Sequence, residues 1–452
     1  MSLPILHKET SVMGNILVKN VSGITQFFGW TEIKNGESAE LPYQLAKDLA
    51  TNPDYQVESH NLLNDFPFIG EDGTYLGWSS PLHYADGYGS IAQEIASSFL
   101  DSGIALSIYP RDYTPSDPGF GNYTLDEWHE KAFVPENIVD CLKGTHPIPL
   151  YGINMTWPKD VHRCQFPRRI GYTMFETTAP PASWTESMNK CQRIIVPCKQ
   201  NKEAFINQGC TVPIDVVPLG VNPDKWPVIE RKHDGPFTFL MAAGITMRKN
   251  PVDAAKAFVA AFPNNPDVRL RFKTRGWEAS EGFRAWANNP VFRDERIWIT
   301  CEESTPAQMV GYMHEADCFV FPSHSEGMGL TPIQAMCTGL PVIVADNSGM
   351  SEYCDERYNY PIPCYESKVP HVSEGGFPSE WGDVGNWWNP HFDALVEAFR
   401  AVYGDYGKAY SKGLKSAEWV RKKWTVKNTC QNLLSVVYSD ARADNLLPER
   451  AF

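Results

Sequence analysis

No stretch of this 452-residue chain holds 18 apolar residues in a row, the length that a membrane-spanning helix requires. The opening segment, MSLPILHKETSVMG, lacks the apolar core of a secretory leader. A chain in the cytoplasm is therefore expected, without a membrane span. The 11 cysteines are odd in number, and none forms a CxxC pair. That usage fits reduced thiols in a cytosol and gives no zinc site or disulfide framework. Positive charge is also short, with 40 Lys and Arg against 54 Asp and Glu, a net charge of −14. This weighs against a broad groove for duplex nucleic acid, although a local basic patch is compatible with it. No internal repeat is visible beyond a β/α alternation.

The rest of the composition is that of a globular protein, 42% hydrophobic and 21% charged. The length suits two or three domains. There are 14 Trp and 19 Tyr. Aromatic rings suit sugar binding, but most aromatics simply pack.

Residues 1–70 form a first unit. NILVKNVSG and TEIKNGESAELP read as strands around turns, with Asn35-Gly36 a hairpin signal. YQLAKDLATNPDYQVE reads as a short helix and a strand, and 59–73 as a linker. The unit resembles small β-modules of bacteriophage proteins. From Tyr75 onward strands and helices alternate. YLGWSSPL is a strand, HYADGYGS a glycine loop, IAQEIASSFLDSG a helix and IALSIYP the next strand. With Gly87 and Gly89 in that loop, a diphosphate can rest on the helix N-terminus, or the glycines serve only the turn. RIGYTMFE, RIIVPC and IDVVPLG continue as strands. The polar, Pro-rich stretch 220–236 reads as a hinge. FTFLMAAG then opens a second β/α series with VRLRFKT, RIWITC, CFVFP and PVIVA as strands. HFDALVEAFRAVYG and TVKNTCQNLLSVVYSDA read as closing amphipathic helices.

The most informative stretch is SHSEGMGLTPIQAMCTGLPVIV, Ser323 to Val344. CFVFP before it and VIVA at its end are short apolar runs, as expected of strands buried on both faces. Between them, Thr331 suits an N-cap and Pro332 the first helical position. Gly339 and then Pro341 stop the helix. Strand, helix, strand makes a parallel βαβ unit, whose ligands bind at the carboxyl ends of the strands. Glu326 falls in that loop between glycines, beside a helix N-terminus suited to an anion. An acid is also favourable there in its own right. Gln334, three residues after Thr331, suits the N3 place of a capping box, a ligand contact, or both.

These residues resemble the signature of retaining glycosyltransferases of the family-4 type, which carry a Glu, seven residues and a second Glu in a frame P-S-x-x-E-G-x-G-L … E-A-M-x-x-G-x-P-V-I. Pro322, Ser323, Glu326, Gly327, Gly329, Leu330, Ala335, Met336, Gly339, Pro341 and Val342 fit that frame, while Gln334 stands where the second acid is expected. VPLGVNPDKW, AAGITMRKN, SGMSEY and the segment MFETTAPPASW resemble further family segments in the same order, so the likeness covers roughly 75–435. It implies an α/β chain of the GT-B architecture, with two Rossmann-like domains facing a cleft, beside the small N-terminal β-rich module. The expected units are 1–70, an acceptor domain at 74–222, a nucleotide-sugar domain at 223–404, and helices at 405–452 that pack back on the first domain.

The resemblance also implies roles. Lys249, with Arg248 beside it, would neutralise the leaving diphosphate, although an exposed basic pair before a helix is the plainer alternative. The family often has a further basic residue where Ile245 stands here. Glu326 would contact the transferred sugar, Gln334 the ribose, and Glu352 would be the late family acid. Gly87, Gly89, Gly327, Gly329 and Leu330 complete the donor-binding set. The family's middle-strand His is absent. Glu176 stands at that strand end, as a base, an acceptor-orienting group or a hydrogen-bonded structural acid. His83, Asp86 and Tyr88 are acceptor-side candidates, and Trp184 is expected to pack. The expected activity is sugar transfer with retention from a nucleoside-diphosphate sugar, with no metal and no cofactor. The acceptor, whether glycan, protein or modified DNA base, is open, as are the sugar and the oligomeric state. A catalytically silent sugar- or nucleotide-binding homologue is the alternative, as Gln334 and Ile245 both depart from the pattern.

Overall fold

The computed structural model describes the strands β1 (Asn15–Asn20), β2 (Gln26–Phe28), β3 (Thr31–Ile33), β4 (Ser38–Pro42) and β5 (Tyr55–Val57). It also describes residues 76–82, 87–111, 134–143, 149–231, 235–244, 246–275, 288–370 and 377–443. The expected turn at Asn35-Gly36, the linker at 59–73, and His83, Asp86 and Ile245 lie outside these residues. In the N-terminal unit β1 pairs antiparallel with β4 and β5, and β2 with β3.

The first large sheet contains β6 (Leu76–Ser80), β7 (Leu106–Pro110), β8 (Tyr151–Met155), β9 (Arg168–Tyr172), β10 (Arg193–Val196) and β11 (Ile214–Val216). All pairs are parallel, in the order β11-β10-β9-β8-β6-β7. Every residue of β6 and β8 is buried. This is why they read as apolar runs rather than alternating ones. The order reverses between β6 and β8, so the crevice outside their carboxyl ends is the expected ligand position. The helix after β6, α1 (Gly87–Asp101), begins at Gly87. The glycine stretch is thus partly a first helical turn and not wholly a loop, as the sequence suggests. Among the described residues, this unit also holds the helices α2 (Glu136–Lys143), α3 (Ala182–Met188) and α4 (Lys199–Asn207).

The second sheet contains β12 (Phe237–Ala242), β13 (Val268–Thr274), β14 (Ile297–Cys301), β15 (Cys318–Phe321), β16 (Val342–Ala345) and β17 (Tyr360–Ile362). It is also parallel, in the order β14-β13-β12-β15-β16-β17. This is the doubly wound order in which the reversal lies between the first and fourth strands, here β12 and β15. The helices α5 (Pro251–Ala261), α6 (Pro306–His314) and α7 (Leu330–Cys337) connect its strands. The chain is therefore an α/β protein with two Rossmann-like sheets.

After β17 the chain makes an antiparallel hairpin, β18 (Cys364–Lys368) with β19 (Asn386–Pro390). Then follow α8 (Phe392–Gly404), α9 (Tyr406–Lys423) and α10 (Val426–Ala443). α10 crosses to the first unit. There the Cys430 thiol reaches the Ile95 carbonyl (3.7 Å), Tyr151 donates to the Asp440 carbonyl (3.4 Å), and Arg193 pairs with the Asp440 carboxylate at 2.7 Å. The two chain crossings between the units meet at an isolated parallel bridge, Val221 to Thr425. Its bonds run from Val221 N to Trp424 O and from Val426 N to Val221 O, both 2.9 Å.

The β18–β19 hairpin makes a second junction. Thr177 Oγ1 and Ala179 N both donate to the Val384 carbonyl, at 2.6 and 3.1 Å. Thr178 N donates to Asn386 O at 3.0 Å, and Asn386 N donates back to Thr178 Oγ1 at 2.8 Å. Val369, Val384 and Trp387 share a core with Phe175, Trp184 and Val196 of the first unit. Trp184 packs, as its sequence context suggests, with its ring 5.3 Å from Phe175 and 4.9 Å from Trp381.

Candidate functional site

The reversal point of the second sheet brings two loops face to face. The loop after β12 carries Arg248 and Lys249 on a single 3-10 turn, Met247–Lys249. Asn250 follows in the left-handed conformation, φ 57°, and sets Pro251 at the first position of α5. The loop after β15 carries Glu326, which is 6% exposed.

Their side chains meet. Lys249 Nζ donates to both Glu326 oxygens, at 2.6 and 2.8 Å. Arg248 Nη1 stands 3.1 Å from Oε1, and Ser323 Oγ donates to the same oxygen at 2.6 Å. Arg248 also faces Glu176 of the first domain, at 3.6 Å. One basic pair thus joins an acid from each side of the cleft. Burial on its own would raise the Glu326 carboxyl pKa, but Arg248 and then Lys249 outweigh it and hold it at about 2. Burial lowers the Lys249 ammonium, against the support of Glu326. The buried charges persist because they are paired and hydrogen-bonded. They are not the exposed pair that a basic dipeptide before a helix usually makes.

A buttress holds the acid loop from behind. The Glu326 amide donates to Ser348 Oγ at 2.8 Å, Ser348 Oγ donates to Asn347 Oδ1 at 2.9 Å, and Asn347 Nδ2 donates to the Ser323 carbonyl at 3.0 Å. Ser348 adopts φ 45°, a region uncommon for a residue with a side chain. Strain of this kind persists where the surroundings over-determine the backbone. Asn347 and Ser348 were not singled out from the sequence, where a polar pair after a strand carries no distinct signal.

The helix after Glu326 corrects the capping assignment. α7 begins at Leu330, and its N-cap is Gly329 at φ 76°, with no side-chain cap bond. Thr331 and Pro332 therefore lie inside the first turn, and Gln334 lies two residues beyond the N3 place. The physical reason is the left-handed Gly329, which turns the chain into the helix two residues earlier than a Thr cap would. A true capping box does exist in the chain, at Thr305 and Gln308 on α6. The helix stop is as expected. Gly339 (φ 80°) donates to the Met336 carbonyl at 3.0 Å and Leu340 N to Ala335 O at 3.2 Å, the paired bonds of a Schellman ending.

The two domains enclose a cleft of about 510 Å³. It is lined by Gly87, Tyr88, Glu176, Arg248, Lys249, Glu326, Gly327, Gly329, Leu330 and Gln334. Among the described residues, the Gln334 side-chain amide has no protein partner. The hydroxyls of Thr246 and Ser304, also in the cleft wall, are buried without a hydrogen bond. Buried polar groups are nearly always satisfied, so orphans in a cleft wall mark places for ligand atoms.

Two predicted site residues stand elsewhere. Gly89 is buried within α1 and does not line the cleft. Glu352 turns away to the first domain, where its Oε1 accepts from the Lys199 amide at 2.9 Å, at the start of α4. An acid at a helix N-terminus is favourable on its own terms, so Glu352 is a tie between domains rather than part of the cleft wall. His83 and Asp86 are not among the described residues. The sequence reading missed Trp157, Met174, Lys273, Arg275 and Ser304, all of which line the cleft. Lys273 lies near the end of the run VRLRFKT and Arg275 just after it, and the rule that ligands bind at the carboxyl ends of the strands, applied to β13 as well as β15, would have flagged them.

The comparisons with known proteins agree with this geometry. Residues 223–367 match the family model described as glycosyl transferases group 1. A D-inositol 3-phosphate glycosyltransferase of Arthrobacter sp. (strain FB24) is 24% identical over 219 residues, 46% of this chain and 47% of that protein. The chain thus spans about half the length of that relative. The sucrose-phosphate synthase of Thermosynechococcus elongatus superposes with a TM-score of 0.57 at 14% identity, over 82% of this chain and 100% of its own. HepE of Anabaena, crystallised with UDP and glucose, gives a TM-score of 0.52 at 11% identity, over 81% and 100%. The fold is therefore GT-B, and the segment that carries both loops of the site, residues 223–367, is similar to the group 1 glycosyl transferases.

Proposed function

We propose that this protein is a retaining glycosyltransferase of the family-4 type. It moves a sugar from a nucleoside-diphosphate sugar to an acceptor, without a metal ion. The observation that carries this reading is the Arg248–Lys249–Glu326 cluster at the reversal point of the second sheet. A leaving diphosphate needs positive charge held ready in a water-poor cleft, and preorganised charge of this kind is usually the largest single contribution to catalysis. Lys249 and Arg248 supply it, with the N-termini of α7 and α1 at the cleft as further donors. Glu326, held ionised, supports the positive charge that develops on the sugar as its bond to the diphosphate breaks. In the same-face mechanism the acceptor oxygen bonds to that carbon on the side the phosphate leaves. The acceptor proton passes to the departing phosphate oxygen. Glu176, across Arg248, orients the acceptor.

All 11 cysteines are unbridged, in keeping with a cytoplasmic protein. Among the described residues no helix is long and apolar enough to cross a membrane. A panel of UDP, ADP and GDP sugars, followed by mass spectrometry of the released nucleotide, tests the reading. Release of one nucleotide with retention at the transferred carbon is expected. Nucleotide that binds and is never released would leave a binding protein instead.

Gln334 supplies a prediction within this reading. Because it caps nothing, Gln334→Ala should leave the melting temperature unchanged. Gln334→Glu should tighten nucleotide binding by about 1 kcal/mol, the margin of a charge-assisted bond over a neutral one. Calorimetry on both variants measures this. A switch in preferred nucleotide sugar for Gln334→Glu would show instead that the amide reads a particular donor.

A further inference from the structure

We infer that Trp157, stacked on Tyr88, is the acceptor platform of the cleft and receives an uncharged pyranose ring. The inference builds on the transferase reading and gives its acceptor a chemical class. Trp157 follows the carboxyl end of β8 and Tyr88 follows that of β6, the two strands between which the first sheet reverses. Both residues line the cleft together with Glu176.

The indole is placed unlike the other large aromatics of the core. Trp78, Trp226 and Trp184 are 0, 2 and 6% exposed, whereas Trp157 is 43% exposed. Trp298 is similarly open at 46%, but the Arg269 guanidinium covers its ring at 4.3 Å. Trp157 is also held rigidly. It stacks on Tyr88 with centroids 5.9 Å apart and planes 26° apart, and Trp381 meets it edge-on at 6.1 Å. The Tyr88 hydroxyl accepts from Met174 N at 3.3 Å and reaches the Met174 carbonyl at 3.4 Å, two residues before Glu176. The Tyr88 half of the platform is therefore tied to the loop that carries Glu176. A rigid, water-facing apolar surface left open in a cleft is a binding surface.

The charge around it selects the ligand. Among the described residues, the first domain contributes Gly87, Tyr88, Ser90, Trp157, Met174 and Glu176 to this part of the wall, with no cation and one acid. The cleft cations Arg248, Lys249, Lys273 and Arg275 all belong to the second domain. Arg248, 3.6 Å from Glu176, is already shared with Glu326, so an acceptor that carries phosphates would meet the Glu176 carboxylate with no cation of the first domain beside it. A nucleobase can stack on an indole, but binding of a nucleic acid strand draws on cations along its backbone. A neutral sugar fits both features. Its C–H face lies on the indole, and its hydroxyls donate to Glu176 and Ser90.

The test uses protein labelled with 5-fluorotryptophan, with UDP present. The fluorine resonance missing from Trp157→Phe identifies Trp157. Methyl glycosides of glucose, galactose, mannose and N-acetylglucosamine are the probes, beside glucose 6-phosphate and oligothymidylate. At least one methyl glycoside should shift the Trp157 resonance. Its dissociation constant should rise tenfold or more in Trp157→Ala and less in Trp157→Phe, with melting temperatures unchanged in both. A resonance that no methyl glycoside moves overturns the inference. A resonance moved only by the phosphorylated probes overturns the neutral class. Calorimetry with UDP, ADP and GDP runs alongside. If glycosides bind at Trp157 but no nucleotide binds, the transferase reading fails and the sugar platform stands. If nucleotides bind and glycosides do not, the reverse holds.

Discussion

Glu326→Gln should lower turnover by about 10²-fold or more, the loss of roughly 3 kcal/mol of charge stabilisation. It should leave nucleoside-diphosphate binding as tight as before, or tighter. The split follows from the geometry. Glu326 holds two bonds from Lys249 and one ion pair from Arg248, so the cations already have an anion of the protein's own. Removing that charge frees them for the diphosphate while taking away the group that faces the sugar. Steady-state kinetics at saturating donor, with calorimetry on the nucleotide product, measure the two effects. Near-normal turnover would remove Glu326 from the mechanism. Weaker nucleotide binding with normal turnover would invert the proposed roles. The variant leaves buried Lys249 without its carboxylate and Arg248 with only the more distant Glu176, so a lower melting temperature is expected too.

Lys249→Ala should weaken nucleoside-diphosphate binding far more than nucleoside binding, because Lys249 is proposed to meet only the phosphates. An equal loss on both ligands, or none, would detach Lys249 from the diphosphate. The variant carries a second signature, in its pH dependence. The Glu326 pKa is held at about 2 against burial by Arg248 and then Lys249. A carboxylate with a depressed folded pKa contributes stability above its unfolded value, near 4.3. That contribution fades as pH falls from there through the folded value. Without Lys249, burial meets one opposing cation instead of two, and the folded pKa moves up. The acid limb of the activity profile should shift to higher pH than in the parent. An unmoved acid limb would mean that the carboxylate does not depend on Lys249.

The second sheet was legible because its strands β15 and β16 are buried on both faces. CFVF and VIVA are fully buried and bounded by glycine and proline, so run length and punctuation sufficed. Glu326, Arg248 and Lys249 followed from the loops at strand ends. The helix cap did not follow, because Thr-Pro three residues before Gln imitates a capping box, whereas the left-handed Gly329 sets the true start. Glu352 misled for a related reason. Its neighbourhood SGMSEY fits a family segment, but the partner that holds it, the Lys199 amide, lies 153 residues away. Trp157 was invisible because a tryptophan before a proline gives no local sign of whether it will be covered. The β18–β19 hairpin was missed because neither strand is a buried apolar run, and its partners Thr177–Ala179 belong to the other domain.

That hairpin alters the mechanics of the molecule. Two bodies joined at one crossing, here Val221 with Thr425, turn about it like a ball in a socket. A second attachment, from Val384 and Asn386 to Thr177–Ala179, turns the socket into an axle. Relative rotation about any axis that does not pass through both attachments would have to break one of them. The walls that carry Arg248 and Glu176, 3.6 Å apart at that pair, are held in register by both attachments at once.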